Sequence, residues 1–332
     1  MRSIHYLSFL ISLTLGSPVA RSQSEGILPN HVVTQFPEGT WIENLAVRSN
    51  GNLLLTSLLP NASVYEVSNP THESPAVSRR FTIDSVSSLL GITETTPDVF
   101  AIIGGNFSAT AGGIKGSYGV WKADFSKKGH VKPELVTHIP EALLLNGATT
   151  VPQNQNLVLI ADSELGLVWR VDIRTGRYSV AANVTEMGSE GSAVAFSIGI
   201  NGLHIHDDYL WWTNKYLLSV FKVKFTDQGV IAKGATVETV SELSVTALDD
   251  FTFGPGNKDI AWVCTNSGNT VLALKPNGKS IVVAGGTDSD EVAVSTAAKF
   301  GRTSQDNRIL YVTTGAGVST SGKVQAIDTS GF

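Results

Sequence analysis

Short apolar runs bounded by Asp, Asn and Gly recur along the chain, and turn sequence rather than polar helix faces separates them. Residues 157–162 are followed by 166–172, residues 209–213 by 219–225, residues 260–265 by 270–275 and a turn at 276–279, and residues 309–313 by 322–328. Runs of this length, rich in Val, Ile, Leu and aromatics and punctuated by Gly, Asn and Asp, predict strands joined by hairpins. Some of them, such as residues 157–161, do not alternate in polarity. That is the signature of strands buried on both faces.

These strand pairs belong to a longer repeat. Six copies of one unit open at residues 43–55, 90–101, 145–158, 200–212, 249–262 and 300–312. With Val47, Thr93, Thr149, His204, Thr252 and Thr303 as equivalent anchors, the spacings are 46, 56, 55, 48 and 51. A four-stranded propeller blade takes about 40 to 50 residues. The pattern therefore predicts an all-β chain folded as a six-bladed β-propeller, with the last strand at 322–328 pairing near residues 31–35 to close the ring.

Composition agrees and narrows the function. The 332 residues are 42% apolar and 16% charged, with 32 Gly and a formal charge of -5. That is enough apolar sequence for a core, and the acidic balance without a basic run excludes a nucleic-acid partner. Residues 1–22 read as a secretory signal peptide: Arg2 precedes an apolar run from Tyr6 to Leu15, and small residues follow at Ala20 and Ser22. The run is too short to span a bilayer, so no membrane span is expected and residues 23–332 form one secreted propeller domain. Sequons at Asn61, Asn106 and Asn183 are expected glycosylation sites in that compartment. The single cysteine, Cys264, lies in a strand-like run and is expected to be a small buried hydrophobe. The glycine-rich stretch 104–119 lacks the Lys-Ser/Thr ending of a phosphate loop and is expected to be an irregular turn over the propeller surface.

Candidate chemistry sits where the units begin. Glu43, Asn146, Asn201 and the pair Asp249-Asp250 are polar groups in apolar context. Such groups need hydrogen bonds or a metal. One reading makes them hard oxygen ligands for Ca2+ or Mg2+; the other makes them caps on strand ends. His204 and His206 share a strand face, as a pair of ligands or as an exposed edge. Neither a His-Glu-x-x-His nor a Gly-x-Ser-x-Gly motif occurs. Trp169, Trp212 and Trp262 are expected to wedge between blades, whereas Trp41 and Phe251 adjoin the mouth residues and are expected to pack an apolar ligand.

Residues 39–48, 144–147, 159–163, 199–202, 249–251 and 300–303, taken in order, resemble the secreted fungal branch of six-bladed propellers related to the senescence-marker-protein/gluconolactonase family. In the calcium-dependent lactonases of the wider family, a Glu, an Asn of an Asn-Gly pair and an Asp hold the metal. By motif this resemblance implies Glu43, Asn201 and Asp250 as ligands, with Asn146 as a further ligand contact. The family's Asp precedes a glycine, whereas Asp250 precedes Phe251.

The fungal branch also resembles the hetero-Diels–Alderases of tropolonic sesquiterpenoid biosynthesis. Their chemistry joins a tropolone-derived ortho-quinone methide to an alkene of a humulene-type terpene. This implies small apolar substrates and no cofactor for the cycloaddition itself. Asn146, Asn201 and Arg302 would act as donors to the enone oxygen, and Trp41 and Phe251 as pocket surface. A Ca2+-dependent lactonase or esterase and a non-catalytic secreted binding propeller are the alternative readings.

Overall fold

A computed structural model describes residues 26–127, 129–189, 197–255, 259–316 and 321–332. The expected signal peptide lies outside them. Six four-stranded antiparallel sheets are arranged as the blades of a six-bladed β-propeller. Among the described residues a single helical turn, Thr185–Met187, interrupts the strands. No helix among the described residues is long and apolar enough to cross a membrane.

The innermost strands are Trp41–Val47, Ser88–Glu94, Leu145–Val151, Ile200–His206, Phe251–Phe253 and Ser295–Phe300. Each contacts the innermost strand of the next blade, so they ring a central axis. Burial falls outward: in the first blade Trp41–Val47 is almost wholly buried, while outermost Ala76–Thr82 is largely exposed. This gradient explains the unalternated apolar runs, because a blade's inner strands have a neighbouring blade against each face. The buried side chains accordingly fall into six clusters, one at each blade-to-blade interface. Trp169, Trp212 and Trp262 each belong to one of these clusters, as does Cys264.

The ring closes through the chain ends. The first strand, Asn30–Gln35, pairs with the last, Lys323–Asp328, with His31 opposite Ala326. The sixth blade therefore takes its outermost strand from the N-terminal end and its other three from the C-terminal end.

The sixth repeat differs from its predicted register. Its innermost strand is Ser295–Phe300, and the anchor Thr303 lies beyond it. Thr303 is instead held in a turn, its N–H and hydroxyl both donating to Asp306 Oδ1 at 2.8 and 2.6 Å.

Five of the six innermost strands carry a register shift near their start, at Ile42/Asn44, Leu89/Ile92, Leu145/Ala148, Ile200/Leu203 and Ser295/Ala297. A β-bulge re-aims side chains, and here it sits where Glu43, Asn146 and Asn201 occur. The glycines after the two asparagines have a packing reason. A Cβ on Gly147 would come within 2.6 Å of the Asn201 carbonyl oxygen, and one on Gly202 within 2.6 Å of Asp250 Cα. Each Asn-Gly pair thus turns a polar side chain while letting the next blade approach.

Candidate functional site

The innermost strands run in one sense along the axis, which has an upper mouth where they begin and a lower mouth where they end. A cavity of about 280 Å3 opens at the upper mouth. Trp41, Leu58, Leu59, Leu90, Phe107, Leu144 and Ile198 make it apolar on one side, and Glu43, Asn146, Asn201, Lys215, Asp249 and Asn266 make it polar on the other. Phe107 comes from the glycine-rich stretch. There, Phe107–Ser108 and Gly112–Gly113 form a short hairpin that lies against the third blade, where the Gly113 N–H donates to Glu164 Oε1 at 2.6 Å. A Cβ on Gly113 would collide with the Leu143 carbonyl, so this close approach needs glycine.

The polar side is built from three separate sets of hydrogen bonds. Trp41 Nε1 donates to Glu43 Oε2 at 2.5 Å. Asn266 Nδ2 donates to Asp249 Oδ2 at 2.6 Å, and Lys215 Nζ donates to Asn266 Oδ1 at 3.3 Å. Asn201 Nδ2 donates to the Leu248 carbonyl at 3.4 Å. Burial raises the pKa of Glu43, and the Trp41 hydrogen bond and the Lys215 charge oppose that rise. Burial, reinforced by the Glu43 charge, raises Asp249 well above the usual carboxylate range.

Below this cavity the axis is filled by a buried charged network. Asp250 Oδ1 accepts from the Phe251 N–H at 2.8 Å and lies 2.9 Å from His204 Nε2, and Asp250 Oδ2 accepts from Asn44 Nδ2 at 3.0 Å. Lys299 Nζ is 3.2 Å from the same His204 nitrogen. Burial alone would raise the Asp250 pKa. The opposing charges of His204 and Lys299, with hydrogen bonds from His204 and Asn44, hold it at about 2. Burial lowers the pKa of both His204 and Lys299.

The sequence-derived candidates therefore divide. Trp41, Glu43, Asn146 and Asn201 share the upper cavity. Phe251 is fully buried under it, edge-on to His204, rather than on its wall. Arg302 lies at the lower mouth, donating to the Val47 carbonyl at 2.9 Å and paired with Glu94. It lines a separate cavity of about 390 Å3 that also contains Lys299 and Phe300. Asp249, not Asp250, faces the upper cavity; both precede the strand Phe251–Phe253, and the Asp250 carboxylate turns instead to Asn44, His204 and the Phe251 N–H. Lys215, Asn266 and Lys299 were not singled out from the sequence. A charge inside an apolar strand, as in Ala297-Ala298-Lys299-Phe300, is the signal that marks such a residue.

The set implied for calcium does not suit that ion here. Asp250 spends both carboxylate oxygens on Asn44, His204 and the Phe251 N–H, and the upper cavity already contains the Lys215 ammonium among its oxygen donors. His204 and His206 share a strand but do not converge: His204 joins the axial network, while His206 stacks on Phe253 with ring centroids 3.9 Å apart. Of the sequon asparagines, Asn183 is exposed, and Asn61 and Asn106 are half-buried. Asn61 Oδ1 accepts from the Ser63 hydroxyl, and Asn106 Oδ1 from the Ser87 N–H.

No protein-family profile matches the chain. A curated protein from a Phoma species with the provisional name hetero-Diels-Alderase is 34% identical over 308 residues, covering 86% of this chain and 86% of that protein. A second, from Sarocladium schorii and with the provisional name hetero-Diels-Alderase asR5, is 32% identical over 340 residues, covering 92% of this chain and 84% of its own length. Among solved structures, a protein provisionally described as a gluconolactonase superposes with a TM-score of 0.63 over 93% of each chain at 11% identity. That likeness concerns the fold.

Proposed function

Because the chain belongs to the family of six-bladed propellers that carry the hetero-Diels-Alderase name, we propose that its upper cavity joins a tropolone-derived ortho-quinone methide to an alkene of a humulene-type terpene. The observation that carries this reading is the division of the cavity into an apolar wall and a compact group of donors, Asn146, Asn201 and Lys215. The reaction forms one C–C and one C–O bond from existing π bonds, and no atom leaves. It needs no nucleophile and no redox partner. The protein has to hold two apolar partners in a reactive pose and stabilise the charge that grows on the enone oxygen.

Trp41, Leu58, Leu90, Phe107 and Leu144 supply the surface for the terpene and the quinone-methide ring. The Lys215 ammonium and the amides of Asn146 and Asn201 supply hydrogen bonds to the oxygen. Those bonds strengthen as charge develops, so they favour the transition state over the ground state.

Hydrolysis of a lactone is the second reading, and the specific feature behind it is the pair of carboxyl groups, Glu43 and Asp249, in the same cavity. The two separate in one experiment. Protein incubated with a quinone-methide precursor and a humulene-type alkene should raise the adduct rate and narrow the isomer ratio relative to buffer. A background rate and ratio, together with turnover of a simple lactone, would replace cycloaddition by hydrolysis.

The N-terminal sequence supports export through the secretory pathway with removal of about the first 22 residues. Mass spectrometry of protein recovered from culture medium tests this, and retention of an intact N-terminus inside cells would count against it.

A further inference from the structure

Away from both axial mouths, a third cavity of about 410 Å3 lies between the fourth and fifth blades. His206, Asp207 and Asp259 bring one ligand atom each to within 4.8 Å of one another there. We propose that these three residues bind a zinc-class divalent cation that clamps the two blades together.

The three donors stand at one edge of the cavity, whose Lys222 ammonium is already paired with Glu238 at 3.3 Å. His206 Nε2 lies 3.5 Å from Asp207 Oδ2 and 3.7 Å from Asp259 Oδ1. Those two separations are long for hydrogen bonds and near the edge of a tetrahedron of ligands around Zn2+, about 3.3 Å for bonds of about 2.0 to 2.1 Å, and the two exposed aspartates close the third edge, now within 4.8 Å, by turning their side chains inward. His206 Nε2 is closed off from solvent and has no hydrogen-bond partner. Leaving a buried polar atom unpaired is costly, and a bound cation removes that cost.

Two further features support the site. The imidazole is fixed in direction, stacked on Phe253 with an interplanar angle of 9° and flanked by the edge of Trp211. Trp211 lines the same cavity, and its Nε1 is also buried without an acceptor. Three protein ligands leave a fourth position for water, which can supply that acceptor. One imidazole with two carboxylates suits zinc and its transition-metal neighbours, whereas Ca2+ and Mg2+ take oxygen ligands.

The ligands come from two blades. His206 and Asp207 stand at the turn after Ile200–His206, and Asp259 precedes Ala261–Cys264. Binding there should raise the resistance of the pair to separation, as any ligand confined to the folded state does.

Calorimetry and thermal unfolding of tag-free, full-length mature protein with ZnCl2, and separately CaCl2, test the site. The expected result is one zinc ion per chain and a higher Tm with zinc than with calcium. Affinity should fall at least about a hundredfold in His206→Ala, the upper end of what removing even a ligand's hydrogen-bond partner costs. Because His206 also packs on Phe253, Asp259→Asn and Asp207→Asn, which leave that ring stacking in place, serve as the second pair of variants and should also weaken binding. No saturable zinc binding by the wild type, or an affinity unchanged in both aspartate variants, would overturn the proposal.

Discussion

Asn44 Nδ2 donates to Asp250 Oδ2 at 3.0 Å across the propeller axis, joining the first blade to the fifth. These blades are not neighbours in the ring, so the bond ties the centre independently of the blade-to-blade packing. Asp250 is also the carboxylate that balances the buried His204 and Lys299.

Removing that carboxylate should therefore cost more than one hydrogen bond. Asp250→Ala leaves Lys299 charged and buried without a counter-charge, at a cost of roughly 3 to 5 kcal/mol, or a fall in Tm of roughly 5 to 10 °C. Adding Lys299→Met to Asp250→Ala should recover part of the loss, because the charge and its counter-charge are removed together. An unchanged Tm in Asp250→Ala, measured by calorimetry, would mean that the axial network does not stabilise the ring.

Acid should act first at the junction of the first and second blades. Arg48 pairs with Glu66 at 2.6 Å and with Asp98 at 2.5 Å, and Arg80 pairs with Glu66 as well. Burial would raise the Glu66 pKa, but the Asn52 hydrogen bond and the two arginines bring it below its ordinary 4.5. A depressed folded-state pKa contributes stability that is present above about 4.5 and is lost as pH falls through the folded value. Denaturant unfolding of the wild type should weaken below pH 4.5 with a slope that Glu66→Gln reduces. Equal slopes in both proteins would assign acid sensitivity to other groups.

Much of this architecture was legible in the sequence because strand length, turn residues and the unit spacing are local. Residues 322–328 were legible as a strand following 309–313, and the expected second neighbour near residues 31–35 is the one observed, from the other end of the chain. The site was less legible. Asn146-Gly147 and Asn201-Gly202 look like ordinary turn pairs, and only the bulge and the close approach of the next blade show why they sit inside a strand. The neighbouring Asp249 and Asp250 face different environments, which a one-residue register decides. Arg302 follows the sixth innermost strand instead of opening it, so it lies at the other end of the axis from Asn146.

Lys215 should set the metal preference of the upper cavity. Its ammonium shares the space with Glu43 and Asp249 and lowers the pKa of both. A dication entering there meets repulsion from that charge. Wild-type protein should bind Ca2+ more weakly than Lys215→Met, in which the two carboxylates lose their internal cation. Calorimetry with CaCl2 measures the difference. Tight binding by the wild type that Lys215→Met leaves unchanged would return calcium to the cavity.

The separation of the two mouths gives the sharpest test of the proposed cycloaddition. Asn146 and Lys215 line the upper cavity, while Arg302 lies at the lower one and is already occupied by Val47 and Glu94. Loss of a donor to the developing oxyanion costs roughly 2 to 4 kcal/mol, or about 30- to 1000-fold in rate. Asn146→Ala and Lys215→Met should each slow adduct formation within that range. A quinone methide also reacts slowly without the protein, so these variants should give mixed isomers as the background reaction takes over. Arg302→Ala should keep both the rate and the isomer ratio, since its guanidinium is on the far side of the Asp250-His204-Lys299 network. Chromatographic measurement of adduct rate and isomer ratio for the three variants distinguishes the mouths. A loss confined to Arg302→Ala would move the reaction to the lower cavity.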